Sequence, residues 1–258
     1  MSFGVEKEYH IGLCAEDIEG AKYAILPGDP GRVEKIAEML EDAKYLTTHR
    51  EYVSYLGTLA GEKVLVMSTG MGGPSTAIGV EELVHLGVDT MIRVGTCGGM
   101  DLDVMAGDVI VITGAIRQEG TSKEYVPVEY PAIADLDVTL ALREAAKESG
   151  FGWKVGVAHC KDNFYGQHSP MTMPIGDELA FKWNAWIKAG ALISEMETAA
   201  LYTVASVRRV RAGAVMLCMW NQERAAAGLP QERCFDNTRS ITVAVKAIEK
   251  LIAQDKSS

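Results

Sequence analysis

The residues able to do chemistry gather where short apolar runs end in glycine. Met91–Met100 reads MIRVGTCGGM, an apolar run carrying Arg93 that stops at Gly95-Thr96-Cys97-Gly98-Gly99. Continuous apolar runs of this kind suit a strand covered on both faces. Arg93 stands two residues before the first glycine, so the strand would carry its guanidinium to the loop. A guanidinium, the Thr96 hydroxyl and backbone N–H groups free of side chains together make an anion site. A tight strand-to-helix turn with a structurally paired arginine would read the same way. Pro27-Gly28-Asp29-Pro30-Gly31-Arg32 repeats the arrangement, after the short run Tyr23–Leu26 and before Val33, Ile36, Ala37 and Leu40 at helical spacing. Arg32 then enters a helix, where anions are favoured. The plainer alternative is a solvated arginine on a Pro/Gly turn. Thr69–Thr76 is a third such loop, and none of the three matches GxGxxG or GxxxxGK, which disfavours dinucleotide and Walker-type sites.

Two further stretches carry polar chemistry. Glu195-Met196-Glu197 precedes Thr198–Val207, a helical run of small and apolar residues. Acids there either accept hydrogen bonds from neighbouring hydroxyls or cap the helix. Cys160–Gly176 is long, polar and irregular, suits a substrate-covering loop, and contains Lys161, Phe164, Gln167 and His168.

The elements that must position these residues alternate. Strands are expected at Tyr52–Leu59 and Lys63–Ser68, joined by a hairpin at Gly61-Glu62, then at Asp108–Thr113, Lys154–His159, Ala191–Ser194 and Ala212–Trp220. Helices are expected at Ile78–Leu86, Val138–Ser149, Asp177–Ala189 and Asn237–Ala253, the last with Ile241, Val245, Ile248 and Leu251 on one face. A polar loop, Asn221–Arg233, separates the last strand from the last helix. Alternation of this kind implies a mostly parallel sheet covered on both sides. Residues 1–258 show no linker, repeat or low-complexity segment, so one domain is expected.

Composition narrows the classes. Of 258 residues 48% are hydrophobic and 23% charged, as in ordinary globular proteins. The net charge of −10 argues against nucleic-acid binding but leaves room for a small anion held by local arginines. The five cysteines are scattered, fitting reduced thiols rather than a disulfide framework or zinc site. No apolar run reaches membrane-spanning length and MSFGVEKEYHIG has no signal-like core, so a cytoplasmic, non-membrane protein is expected.

Taken together, PGDPGR, HRE at His49–Glu51, STGMGGPST, RVGTCGG, GDV and SEMET resemble, in order and spacing, the nucleoside phosphorylase-I family, particularly its uridine-cleaving branch. The resemblance runs from His10-Ile11-Gly12-Leu13 to the C-terminal helix. It implies a three-layer α/β/α sandwich around a mixed, distorted central β-barrel, assembled as a hexamer, a trimer of dimers. The implied activity is reversible phosphorolysis of uridine to uracil and ribose 1-phosphate. By the same resemblance Gly28, Arg32, Arg93 and Thr96 hold phosphate, and Arg50 reaches the phosphate of a neighbouring subunit. His10 approaches the neighbour's ribose, Met196 and Glu197 contact ribose, and Phe164 and Gln167 meet the base. No cofactor is implied beyond inorganic phosphate as co-substrate, although Glu51 and Ser75 match positions that hold a monovalent cation in some relatives.

The sequence departs from the family pattern at the base loop. The proline usual before the glycine is absent, Ser169 stands where an arginine is common, and Gln222 follows Asn221 where a second arginine is common. Lys161 and His168 flank that loop and could replace the lost donors, with Arg224 a weaker candidate. The catalytic set is then Arg32, Arg93, Glu197 and His168. Two alternatives remain: a purine nucleoside phosphorylase on the same fold, and a non-catalytic nucleoside-binding protein. Hexameric purine enzymes carry an aspartate after the last strand, where this chain reads Met219-Trp220-Asn221-Gln222. The binding-protein reading does not explain why three arginines and Glu197 are kept together.

Overall fold

The computed structural model describes residues 7–257. In chain order its elements are β1 (Tyr23–Pro27), α1 (Val33–Ala37), β2 (Glu41–His49), β3 (Tyr52–Leu59), β4 (Glu62–Met67), α2 (Gly73–His85) and β5 (Thr90–Gly99). There follow β6 (Val109–Gln118), α3 (Thr121–Tyr125), β7 (Ala132–Ile133), α4 (Leu136–Glu148), β8 (Trp153–Lys161) and α5 (Phe164–His168). The chain ends with α6 (Gly176–Lys188), β9 (Ile193–Glu195), α7 (Thr198–Arg208), β10 (Arg211–Asn221), α8 (Gln222–Ala226) and α9 (Thr238–Asp255).

Five strands close into a barrel. β5 runs parallel to β10, β10 antiparallel to β6, β6 parallel to β8, β8 parallel to β9, and β9 antiparallel to β5. From β5 the sheet continues through parallel β1 and β4 into antiparallel β3 and β2. The sheet is therefore mixed rather than mostly parallel, as the barrel expectation required. The β3–β4 hairpin turns on Ala60 and Gly61, both at positive φ.

Helices cover both faces. α2, α3 and α7 pack together on one side, while α4 and α9 pack on the other. α7 is buried from Thr198 through Ala205, its alanines allowing close approach to the barrel. α9 buries Ile241, Val245, Ile248 and Leu251 as its periodicity predicts. Full burial of such side chains contributes roughly 1.5–3 kcal/mol each. Among the described residues no helix is long and apolar enough to cross a membrane.

Four sequence expectations need correction. Gly95–Gly99 is strand, not loop, because β10 pairs alongside it as far as Asn221. Its glycines make room within the barrel: a Cβ on Gly95 would stand 2.5 Å from Met216 Sδ, and one on Gly99 2.6 Å from Asn221 Nδ2. α2 begins at Gly73, so Pro74 lies in its first turn, where a missing N–H costs nothing. β2 was not expected; its side chains are largely exposed, so no apolar alternation marks it. Cys160–Gly176 is less irregular than its composition suggests, holding the end of β8, α5 and a 3-10 turn at Pro170–Thr172.

Candidate active site

The turn after β1 and the C-terminal parts of β5, β8, β9 and β10 line one cavity of about 700 Å³. β10 is bulged between Cys218 and Trp220, and Met219 and Trp220 both face this space. Arg93 crosses its floor, almost wholly buried, where an unpaired guanidinium would be costly. Its Nε donates to Glu195 Oε2 at 3.3 Å and its Nη2 to Glu197 Oε2. Burial works against the Arg93 charge, but Glu197 and Glu195 together hold its pKa above the usual arginine value.

The two glutamates have different work. Glu195 accepts the N–H of Glu197 at 2.9 Å and of Thr198 at 3.0 Å, so it caps α7. Burial pushes its carboxyl up, yet Arg93 and these N–H groups outweigh it and hold it below the usual carboxylate range. Glu197 Oε1 accepts the Gly72 N–H at 2.7 Å. Burial dominates there, and the Glu197 carboxyl is raised despite Arg93. Two buried acids share one arginine, and Glu197 is the one held less firmly.

Among the described residues, Arg93 Nη1 has no hydrogen-bond partner although it is buried, and neither has Arg32 Nε. A Cβ on Gly28 would lie 3.6 Å from Arg93 Nη1, so Gly28 adjoins that N–H at the cavity wall. Arg32 reaches the same cavity from the 3-10 turn Pro30–Arg32, with Asp29 Oδ2 3.7 Å from its Nε. Burial draws the Arg32 pKa down, and the like charge of Arg93 adds to this against a pull from Asp29. Thr96 lines the cavity beside them. Two crowded cations with N–H groups to spare make an anion site.

At the other end Lys161 Nζ donates to Ser194 Oγ at 2.7 Å, and Ser194 Oγ donates to Gln167 Oε1 at 2.8 Å. Gln167 Nε2 lies 3.4 Å from Gln222 Oε1. Burial lowers the pKa of both Lys161 and His168. The half-exposed Phe164 ring tilts over His168, with centroids 4.4 Å apart. This end offers an apolar face, an amide and amine donors, as a heterocyclic base requires.

A family model described as the phosphorylase superfamily matches residues 22–254. The chain belongs to the phosphorylase superfamily. Among its superfamily relatives is a uridine phosphorylase of Treponema pallidum, 57% identical over 99% of this chain and 98% of the relative. A uridine phosphorylase of Escherichia coli is 40% identical over 95% of this chain and 98% of the relative. A guanosine phosphorylase of Halorubrum lacusprofundi is 37% identical over 93% of this chain and 98% of the relative.

Within this superfamily chain the cavity brings together Gly28, Arg32, Arg93, Thr96, Lys161, Phe164, Gln167, His168, Met196 and Glu197. It does not include Arg50 or His10. Arg50 has a positive φ and stacks its guanidinium 5.6 Å from the centroid of the Tyr9 ring. His10 Nδ1 meets Glu82 Oε1 at 2.5 Å, and its carbonyl faces His49 Nδ1 at 2.7 Å. Glu51 lines the cavity rim, and Gly70 brings it near Ser75: a Cβ on Gly70 would be 2.8 Å from Glu51 Cγ and 3.3 Å from Ser75 Oγ. Arg224 is engaged elsewhere, donating to Leu102 O at 2.6 Å and Pro230 O at 3.1 Å. Sequence reasoning missed Ser194, His159 and Gln118 behind the base end. The alternation of His159 and Lys161 on one strand face was the available signal.

Proposed function

We propose that the chain catalyses reversible phosphorolysis of uridine, with uridine and phosphate giving uracil and ribose 1-phosphate. The observation that carries this is the pair of unpartnered guanidinium N–H groups, Arg32 Nε and Arg93 Nη1, in one cavity with Glu197 and Gln167. The relatives named uridine phosphorylase, at 57% and 40% identity over nearly the full chain, support the same reading.

Phosphate is already a nucleophilic anion, so catalysis reduces to positioning and electrostatics. Arg32, Arg93 and Thr96 hold phosphate beneath the anomeric carbon. Glu197, fixed by Gly72 and Arg93, accepts hydrogen bonds from the ribose hydroxyls. As the glycosidic bond lengthens, positive charge on the sugar is met by phosphate, and negative charge on uracil by donors from Lys161 and His168, while the Gln167 amide pairs along the base edge. Lys161 and His168 thus take the place of the arginines absent at Ser169 and Gln222. Phe164 stacks on the base and Met196 packs against the ribose.

Arg50 and His10 stand outside this chain's cavity and complete the site of a neighbouring subunit, which makes a homodimer the smallest active unit and a hexamer the expected assembly. Glu51 and Ser75 hold a monovalent cation at that interface. The setting is cytoplasmic pyrimidine nucleoside salvage. The test is a nucleoside panel with phosphate. Uridine cleavage well above inosine and guanosine is expected. Preferential purine cleavage, which the guanosine phosphorylase relative makes the natural alternative, would overturn the base assignment.

A further inference from the structure

The base end of the cavity is backed by a chain of hydrogen bonds in which all but one proton is fixed. The Trp186 indole donates to Gln118 Oε1 at 2.7 Å. An indole N–H only donates, so Gln118 must present oxygen there. His159 Nε2 lies 3.2 Å from the same oxygen and therefore has to carry a proton. The His159 ring is buried, edge-on to Trp183 at 5.8 Å between centroids. Burial, with Lys161 adding to it and Glu195 opposing, brings the His159 pKa down to about 4. The charged groups around the ring are Lys161 and Glu195, with Lys123, Asp162, Glu178 and Lys182 lining the crevice behind it. At neutral pH the ring is neutral, its single proton is on Nε2, and Nδ1 is a bare acceptor.

Nδ1 faces Ser194 Oγ at 3.1 Å. Ser194 already accepts from Lys161, and its one proton has two claimants: His159 Nδ1 and Gln167 Oε1 at 2.8 Å. The two choices present opposite groups to the cavity. If Ser194 donates to Gln167, the free end of that amide is its NH2. If Ser194 donates to His159, Gln167 turns its amide over, gives an N–H to Ser194, and leaves its oxygen free. The second choice alone gives His159 Nδ1 a donor, and it requires Gln222, whose Oε1 lies 3.4 Å from the Gln167 amide nitrogen, to turn its own amide over with Gln167.

We propose that His159, acting through the single proton of Ser194, holds the Gln167 amide with its oxygen toward the base. The site thereby selects uracil, whose N3–H donates, over cytosine, whose N3 accepts. This rests on the cavity being a pyrimidine nucleoside site. His159 and Ser194 are positioning residues in it, acting through Gln167.

The experiment compares kcat/KM for uridine and cytidine in the wild type, His159→Phe and Gln118→Glu. His159→Phe keeps an aromatic ring and frees the Ser194 proton for Gln167. The uridine-to-cytidine ratio is then expected to fall by about tenfold to a hundredfold, through nucleoside KM, with phosphate KM unchanged. Gln118→Glu still accepts from Trp186 but favours an imidazolium at His159, so the ratio falls in acid and recovers as pH rises. Ratios unchanged in both variants would overturn the proposal. Histidine ¹⁵N NMR of the wild type needs no variant: an Nε2–H tautomer of His159 is expected, and an Nδ1–H tautomer would overturn it. Wild-type uridine cleavage with unchanged variant ratios removes this inference alone. A wild type that cleaves no pyrimidine nucleoside removes the reading beneath it.

Discussion

Glu197→Gln should separate activity from stability. Glu195 and Glu197 share Arg93, but their carboxyls are displaced in opposite directions, Glu195 down and Glu197 up. Ionising Glu195 therefore stabilises the fold, whereas ionising Glu197 weakens it. In Glu197→Gln one amide N–H must face either Gly72 N–H or Arg93, a loss of about 1–3 kcal/mol. Removing the second buried acid offsets this, and Arg93 keeps Glu195, so the net change should stay within about 1 kcal/mol, or about 2–4 °C in melting temperature. Glu195→Gln removes the ionised cap of α7, and losing one partner of a buried ion pair costs about 3–5 kcal/mol, or roughly 6–20 °C. Activity should follow the other order: loss of the Glu197 charge lowers kcat by about 10²–10³-fold, the scale for one preorganised electrostatic group. The pH dependence has a definite sign. The folded-state pKa of Glu197 lies above its unfolded value, so wild-type stability contributed by this group falls as pH rises from the unfolded value through the folded one. The melting difference between Glu197→Gln and wild type should shift in favour of the variant across that window. The assays are calorimetric melting across pH and steady-state phosphorolysis. A Glu197→Gln protein that melts as low as Glu195→Gln, yet turns over near the wild-type rate, would refute the reasoning.

Arg32→Met removes an N–H that makes no hydrogen bond to a described residue and only a long ion pair with the exposed Asp29, so phosphate KM should rise by about tenfold or more while melting and uridine KM hold. A rise in uridine KM alone would contradict this. Gly95→Ala places a Cβ 2.5 Å from Met216 Sδ and 3.0 Å from Arg93 Nη2, so it should lower kcat and destabilise by about 1–3 kcal/mol. Thermal melting and kinetics measure both effects. Arg50→Ala and Arg93→Met should each be inactive alone but regain activity when co-expressed, because one mixed site has both arginines; failure of verified mixed oligomers to recover would exclude a shared site. Lys161→Met and His168→Ala should raise uridine KM by about tenfold each. Intact uridine turnover in both would show that other groups replace the missing arginines.

Much of the fold was legible because burial wrote itself as periodicity. β3, β4, α4 and α9 came within a few residues of their expected bounds, and each buries an apolar face. β2 was not legible, since its exposed residues carry no alternation. The glycines after Arg93 looked like a ligand loop because a glycine-rich run is written alike whether a ligand or a neighbouring strand approaches it; Met216 and Asn221, far along the chain, decide that it is strand. The arginines, Glu197 and Gln167 could be named from local motifs. Their division of labour could not: that Glu195 caps α7 while Glu197 takes the Gly72 N–H depends on where the α2 loop arrives. Ser194, His159 and Gln118 form their chain only when β6, β8 and β9 lie side by side.

The central claim is that Arg32 and Arg93 use their open N–H groups to hold phosphate as the attacking group. The most direct measurement follows uracil release from uridine together with consumption of phosphate, with and without phosphate present. The account predicts no cleavage without phosphate and one ribose 1-phosphate for each uracil released. Uracil release at an equal rate in phosphate-free buffer, with free ribose as the product, would contradict it.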